Sequence, residues 1–168
     1  MNKKLLALLF AVPGFGLAQT TYGVLGFAKQ ISDVAVASKD DGAHDFSIVN
    51  AREQGWYVSA KTDKLGVSRG NQTKFRLVKT DKDNVFKLFC VTNNKFVAYK
   101  DANTGADKTK FVDSEADPNT NWHVVPNMGG NGRENKFDIL PGTVDAKNPN
   151  SQSWNVHGGI QGGKGVIG

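Results

Sequence analysis

What most limits the fold open to this chain is a pattern of short apolar segments that occurs three times. Phe46-Ser47-Ile48-Val49-Asn50 is followed by Trp56-Tyr57-Val58-Ser59-Ala60, and the unit closes with Lys74-Phe75-Arg76-Leu77-Val78. A second unit opens with Phe86-Lys87-Leu88-Phe89, continues with Lys95-Phe96-Val97-Ala98-Tyr99, and closes with Asn121-Trp122-His123-Val124-Val125-Pro126. The third opens with Lys136-Phe137-Asp138-Ile139-Leu140 and goes on to Ser153-Trp154-Asn155-Val156-His157. A repeat of this size means one supersecondary unit used three times, each copy too small to bury its apolar face alone.

The segments read as strands. They are short, rich in aromatic and β-branched residues, and bounded by Gly, Asn, Asp and Lys, with no sustained helical periodicity between them. Strands are expected over 45–50, 56–60, 74–79, 85–92, 96–99, 121–125, 136–140 and 153–156. In the first two units the closing aromatic lies 29 and 36 residues after the opening Phe (Phe46 to Phe75, Phe86 to Trp122). Counted from Phe137, its third equivalent falls at about 166 to 173, while Gly168 is the last residue, so the closing strand of the third unit is expected to be missing. Val166-Ile167 is left as a short third strand. The expected result is a barrel open beside residues 46–50, with an exposed edge there and marginal stability.

Three units of about 40 to 50 residues, each with four short strands, resemble the β-trefoil fold, and the pattern is similar to that of ricin-B-like modules. The resemblance covers residues 45–168, divided into repeats at about 45–82, 83–127 and 128–168. Ile48-Val49-Asn50-Ala51-Arg52 followed by an aromatic-Val-Ser strand resembles the trefoil modules attached to secreted glycan-processing proteins of Bacteroidetes. It implies an all-β trefoil and a glycan or glycoprotein ligand. A sandwich or a propeller blade would also accommodate three weakly similar units.

Residues 1–18 have a basic start (Lys3, Lys4), an apolar run from Leu5 to Val12 and a small-residue end at Gly16-Leu17-Ala18, the layout of a signal peptide cleaved after Ala18. The apolar run is broken by Pro13 and Gly14 well short of the roughly 20 residues a membrane span requires. The product is expected to be secreted, periplasmic or on the cell surface, without membrane insertion. Residues 19–44 read as an N-terminal leader packed on the module, with strands at 22–27 and 34–36 and a turn at 38–42. Cleavage would remove two lysines and no acid, lowering the formal charge from +5 to +3. That small excess, scattered among acids such as Asp81, Asp83, Asp101 and Asp107, argues against nucleic-acid binding. Cys90 is the single cysteine, so no internal disulfide can form, and its apolar surroundings point to a small buried thiol.

Several motifs invite a chemical reading. Gly158-Gly159-Ile160-Gln161-Gly162-Gly163-Lys164 matches seven positions of a phosphate-binding loop, but Gly165 stands where a Ser or Thr hydroxyl is needed. No helix can follow it, nor follow the G-x-G-x-x-G at 163–168, so the glycines are expected to turn a hairpin. Gln152-Ser153-Trp154 matches the Q-x-W triplet of ricin-type lectins, yet it falls on the second strand of its unit instead of near the end. At the positions where the family has that triplet, this chain has Thr73-Lys74-Phe75 and Thr120-Asn121-Trp122. Both departures put the family's galactose site in doubt.

Sugar recognition needs an aromatic face to stack on a pyranose and nearby polar groups for its hydroxyls. Trp154, Asn155, His157 and Gln161 form one candidate set, and Tyr99, Asp101, Asn103 and Asp107 a second. The alternatives are a core role for Trp154 and solvated turns for the others. Asp101 to Asp107 alternates oxygen side chains like the start of a calcium loop, but lacks the later bidentate Glu, so neither metal nor cofactor is expected. His44, His123 and His157 show no metal-ligand spacing, and Glu53, Glu115 and Glu134 fall in loop-like contexts, so catalysis finds little support. The sequence is thus read as a non-catalytic carbohydrate-recognition or accessory module, alone or as the N-terminal part of a larger glycan-processing protein. A protein-binding trefoil such as a protease inhibitor is the alternative, followed by a small glycoside hydrolase.

Overall fold

In a computed structural model of the chain, the residues described are 31, 34–49, 55–70, 72–100, 108–126, 137–144, 154, 156–157 and 166–167. Ten strands run through them: β1 (Tyr57–Ala60), β2 (Leu65–Ser68), β3 (Phe75–Lys79), β4 (Val85–Cys90), β5 (Lys95–Tyr99), β6 (Thr109–Val112), β7 (Asn121–Pro126), β8 (Phe137–Pro141), β9 (Val156–His157) and β10 (Val166–Ile167). All named pairs of strands are antiparallel.

The three units share one plan. Each contributes a hairpin, β1–β2, β5–β6 and β9–β10. In the first two units the opening and closing segments also pair with each other, Phe46 with Phe75 and Phe86 with Trp122. Each closing strand then pairs with the opening strand of the next unit, β3 with β4 and β7 with β8. The hairpins also meet: Val166 of β10 pairs with Gly66 of β2, and the Leu65 amide donates to Thr109 Oγ1 at 3.0 Å.

This plan follows from strand alternation, which sends every second residue to one face. Phe46 and Ile48, Phe86 and Leu88, and Phe137 and Ile139 come from the three opening segments into one core. Phe75 and Leu77 with Trp122 and Val124 come from the closing strands into the same core. Burying each large side chain contributes about 1.5–3 kcal/mol, and without a disulfide this packing carries the stability. Phe89 and Phe96, on the opposite face of β4 and β5, form a second, smaller cluster with Val36 and Val78.

Turn chemistry fits the connections. Asn84 and Asn94 take positive φ (59° and 57°), a conformation Asn tolerates better than most residues, in the turns leading into β4 and β5. After β8, the Gly142 amide donates to Asn121 O at 2.7 Å, and a Cβ on Gly142 would lie 2.8 Å from that oxygen. Only glycine permits so close an approach of the two backbones.

The structure departs from the sequence reading at several points. The strand expected over 45–50 is reduced to isolated bridges at Phe46 and Val49, with Asn50 outside the described residues. Nor are the side chains there exposed: Ser47 is 0% and Ile48 4% exposed, and Ile48 O accepts from the Val58 amide at 2.8 Å. Part of the reason lies in the preceding segment, since Ile31 and Ala35 belong to the same core as Ile48. Val34 lies in a helical turn and Val36 makes a single parallel bridge to Val78, where a strand had been expected over 34–36. Of the strand expected at 153–156, Ser153 and Asn155 lie outside the described residues, Trp154 is outside any strand and Val156 begins β9, while β2 and β6 had no counterpart in the sequence reading. The segments at 1–18 and 22–27 lie outside the described residues.

Candidate functional site

Trp122 lies at the centre of the candidate site. Its strand, β7, turns Trp122 and Val124 into the core and Asn121, His123 and Val125 toward the other face. The indole is fully buried, and its Nε1 donates to Val97 O at 2.9 Å, which satisfies the one polar atom of the ring. Two half-buried aromatic rings stand nearly perpendicular to it: Tyr99 at 6.3 Å between centroids and 84°, and Trp154 at 5.2 Å and 82°. Both geometries are edge-to-face contacts, worth about 0.5–1.5 kcal/mol each beyond burial.

Tyr99 and Trp154 are the aromatic members of two separate predicted sets, one in the second unit and one in the third. The structure brings them together on Trp122, which neither set included. Of the other predicted residues, Asn155, Gln161, Asp101, Asn103 and Asp107 lie outside the described residues, and His157 is described only as backbone of β9. The glycine-rich run at 158–165, expected to turn a hairpin, lies outside the described residues, between the antiparallel β9 and β10.

The backbone explains why Trp154 is there. Its amide donates to Ile139 O at 2.9 Å, just as the Val58 amide donates to Ile48 O. Ile48 and Ile139 hold the same place in their units, so Trp154 stands at the station Val58 occupies in the first. In the second unit Val97, paired with Leu88, holds that station. A tryptophan at a valine station fills more of the core, and its Nε1 is buried with no hydrogen-bond partner.

The Lys39 ammonium, first by hydrogen bond (2.8 Å) and then by charge, holds the fully exposed Asp40 carboxyl below its usual range. Burial pushes the Cys90 thiol up, the state of an inert structural cysteine. Among the described residues, no three His, Cys, Asp or Glu side chains gather closely enough to hold a metal ion, and no helix is long and apolar enough to cross a membrane.

No protein-family model matches the chain, and no curated protein matches it. Among solved structures, it is similar to a designed 3-fold symmetric protein, ThreeFoil. The two share 15% identity at a TM-score of 0.51, over 73% of this chain and 85% of that one. The fold is a β-trefoil.

In the trefoil, the threonines two residues before the closing aromatics take on a structural role. Thr73 is buried and its Oγ1 accepts from the Ala60 amide at 2.7 Å, tying the closing strand to the hairpin. Thr120, also buried, donates to Asp117 O at 2.7 Å and accepts from Lys87 Nζ at 3.1 Å. The sequence marks Phe75 and Trp122 as the closing aromatics of their units, and the Thr-x-aromatic spacing of Thr73-Lys74-Phe75 and Thr120-Asn121-Trp122 is the signal they share.

Proposed function

We propose that this trefoil is an exported, non-catalytic module that recognises carbohydrate through the aromatic cluster of Tyr99 and Trp154. The supporting observation is that these two half-buried rings, from different units, are both fixed on the buried Trp122. Rings held by packing lose little freedom when a pyranose face stacks on them, so binding would carry a small ordering cost. The sequence neighbours Asn155, His157 and Gln161, with Asp101, Asn103 and Asp107, offer the amide, imidazole and carboxylate groups a sugar's hydroxyls require. The signal-like residues 1–18 support export. The trefoil itself is compatible with a binding module but does not select the ligand.

A glycan array tests this reading. Saturable binding to an oligosaccharide is expected, weakened at least tenfold in Tyr99→Ala and Trp154→Phe variants that keep the wild-type circular dichroism spectrum. A flat array at high protein concentration, or binding unchanged in both variants, sinks it.

A further inference from the structure

Arg76 is the one buried cation of the described core. It lies on β3 with 7% exposure, and its guanidinium is engaged by Lys39 and Asp45 at the entry to the first unit. Nε donates to Asp45 Oδ1 at 2.7 Å and Nη2 to Asp45 Oδ2 at 3.0 Å, while Nη1 donates to the Lys39 carbonyl. The guanidinium also stands 5.9 Å from the Phe89 ring centroid, with Lys39 Nζ at 5.6 Å from the same ring. Gly42, in the 3-10 turn Gly42–His44, leaves just enough room, since a Cβ there would come within 3.1 Å of Arg76 Nη2.

The segment that Arg76 holds covers two features of the barrel. Along the outer edge of β3, the Val36 amide donates to Leu77 O at 2.9 Å and the Lys79 amide to Val36 O at 2.8 Å. Beneath it lies the smaller cluster of Val36, Val78, Phe89 and Phe96, separate from the main core. Yet the segment itself has little apolar substance. Ala37, Ser38 and Asp40 to Gly42 are exposed, whereas the residues at either end, Ile31 and Ala35 before and Phe46 and Ile48 after, are anchored in the main core.

We propose that residues 36–45 form a strap that opens as a unit, with its ends still seated in the main core and the Arg76–Asp45 pair as its latch. Opening would bare the β3 edge and the Phe89–Phe96 strip while the barrel stays folded. The physical basis is that local openings involve regions with few buried apolar contacts. A buried cation stripped of its partner is costly only while it remains buried. When the latch is cut, the strap can lift and let water reach Arg76, so the damage is capped at the cost of opening.

Amide hydrogen exchange of the whole chain separates this from a strap that is merely part of the barrel. In the wild type, the Val36 and Lys79 amides should exchange faster than the Val58 amide, which is bonded to Ile48 O. Asp45→Asn should speed Val36 and Lys79 by about tenfold or more, the worth of a charged hydrogen bond, and leave Val58 unchanged. Gly42→Ala, which presses on the latch without removing a charge, should act in the same direction. Equal acceleration of all three amides in these variants, or no acceleration at Val36 and Lys79, overturns the proposal. So does an Asp45→Asn chain that fails to fold, because the cost would then not be capped by opening.

Discussion

Trp122 Nε1 donates to the carbonyl of Val97 at 2.9 Å, a bond between the closing strand of the second unit and the hairpin of that same unit. Both residues belong to the main core. Replacing Trp122 therefore removes packing and a buried bond together. Trp122→Phe should cost about 2–4 kcal/mol, combining lost volume and an unsatisfied Val97 carbonyl, and Trp122→Ala about 3–5 kcal/mol or more. Urea denaturation followed by circular dichroism checks both. A cost under about 1 kcal/mol for the alanine variant would show that the core does not rest on this ring.

Thr73 supplies the partner for the Ala60 amide. Thr73→Val keeps the shape and loses the acceptor, so it should destabilise by about 1–3 kcal/mol, while Thr73→Ser should cost less because the oxygen remains. If valine and serine behave alike in thermal melts, the hydroxyl oxygen is not what matters at this position.

Gly142 sits against the Asn121 backbone. Alanine there would place Cβ 2.8 Å from a carbonyl oxygen that cannot swing away. Either the β8 exit shifts or the bond from the Gly142 amide breaks, at about 1–3 kcal/mol. A lowered urea midpoint is expected, with loss of protection at the Gly142 amide in hydrogen exchange. An unchanged midpoint would contradict the close approach.

The Cys90 thiol is held above its ordinary value of 9.0 by burial. The folded chain keeps this proton where the unfolded chain has lost it. The contribution is therefore fully present below pH 9.0 and declines as pH rises from there through the folded value. Comparing urea midpoints of wild type and Cys90→Ala between pH 7 and 10 isolates the effect: the gap should narrow or reverse at the alkaline end. Reaction with a thiol reagent at neutral pH should proceed only as fast as the protein unfolds. Rapid labelling of the folded chain would place the thiol at the surface.

The strands most legible in the sequence are those carrying large apolar residues at alternate positions. Phe86-Lys87-Leu88 and Phe137-Asp138-Ile139 announce both strand and buried face, and their recurrence pointed to the three-unit core. The β2 segment, Leu65-Gly66-Val67-Ser68, carries too little of that signal; its backbone bonds come from β1 and, at Gly66, from β10. Lys110 and Thr109 disguise β6 in the same way. The role of residues 31–46 was hidden for a different reason. Arg76 and Asp45 are separated by 31 positions, and no local pattern says that a charge within an apolar strand will turn back to an earlier turn. At the candidate site, Tyr99 and Trp154 were recognisable as aromatic groups in polar surroundings. Their meeting depends on how β5 and the residue Trp154 ahead of β9 face the core, which only the barrel decides.

The pairing of Val166 with Gly66 joins residues 100 positions apart. It bears on how the chain reaches this shape. Contacts of such long span must overcome a large loop-closure entropy before they return any stabilisation, and topologies rich in them fold slowly. A chain that emerges from its amino end cannot give the first hairpin its outer neighbour until residue 166 has been made. The three units are therefore expected to complete their fold in one late cooperative event and not as beads that set in turn.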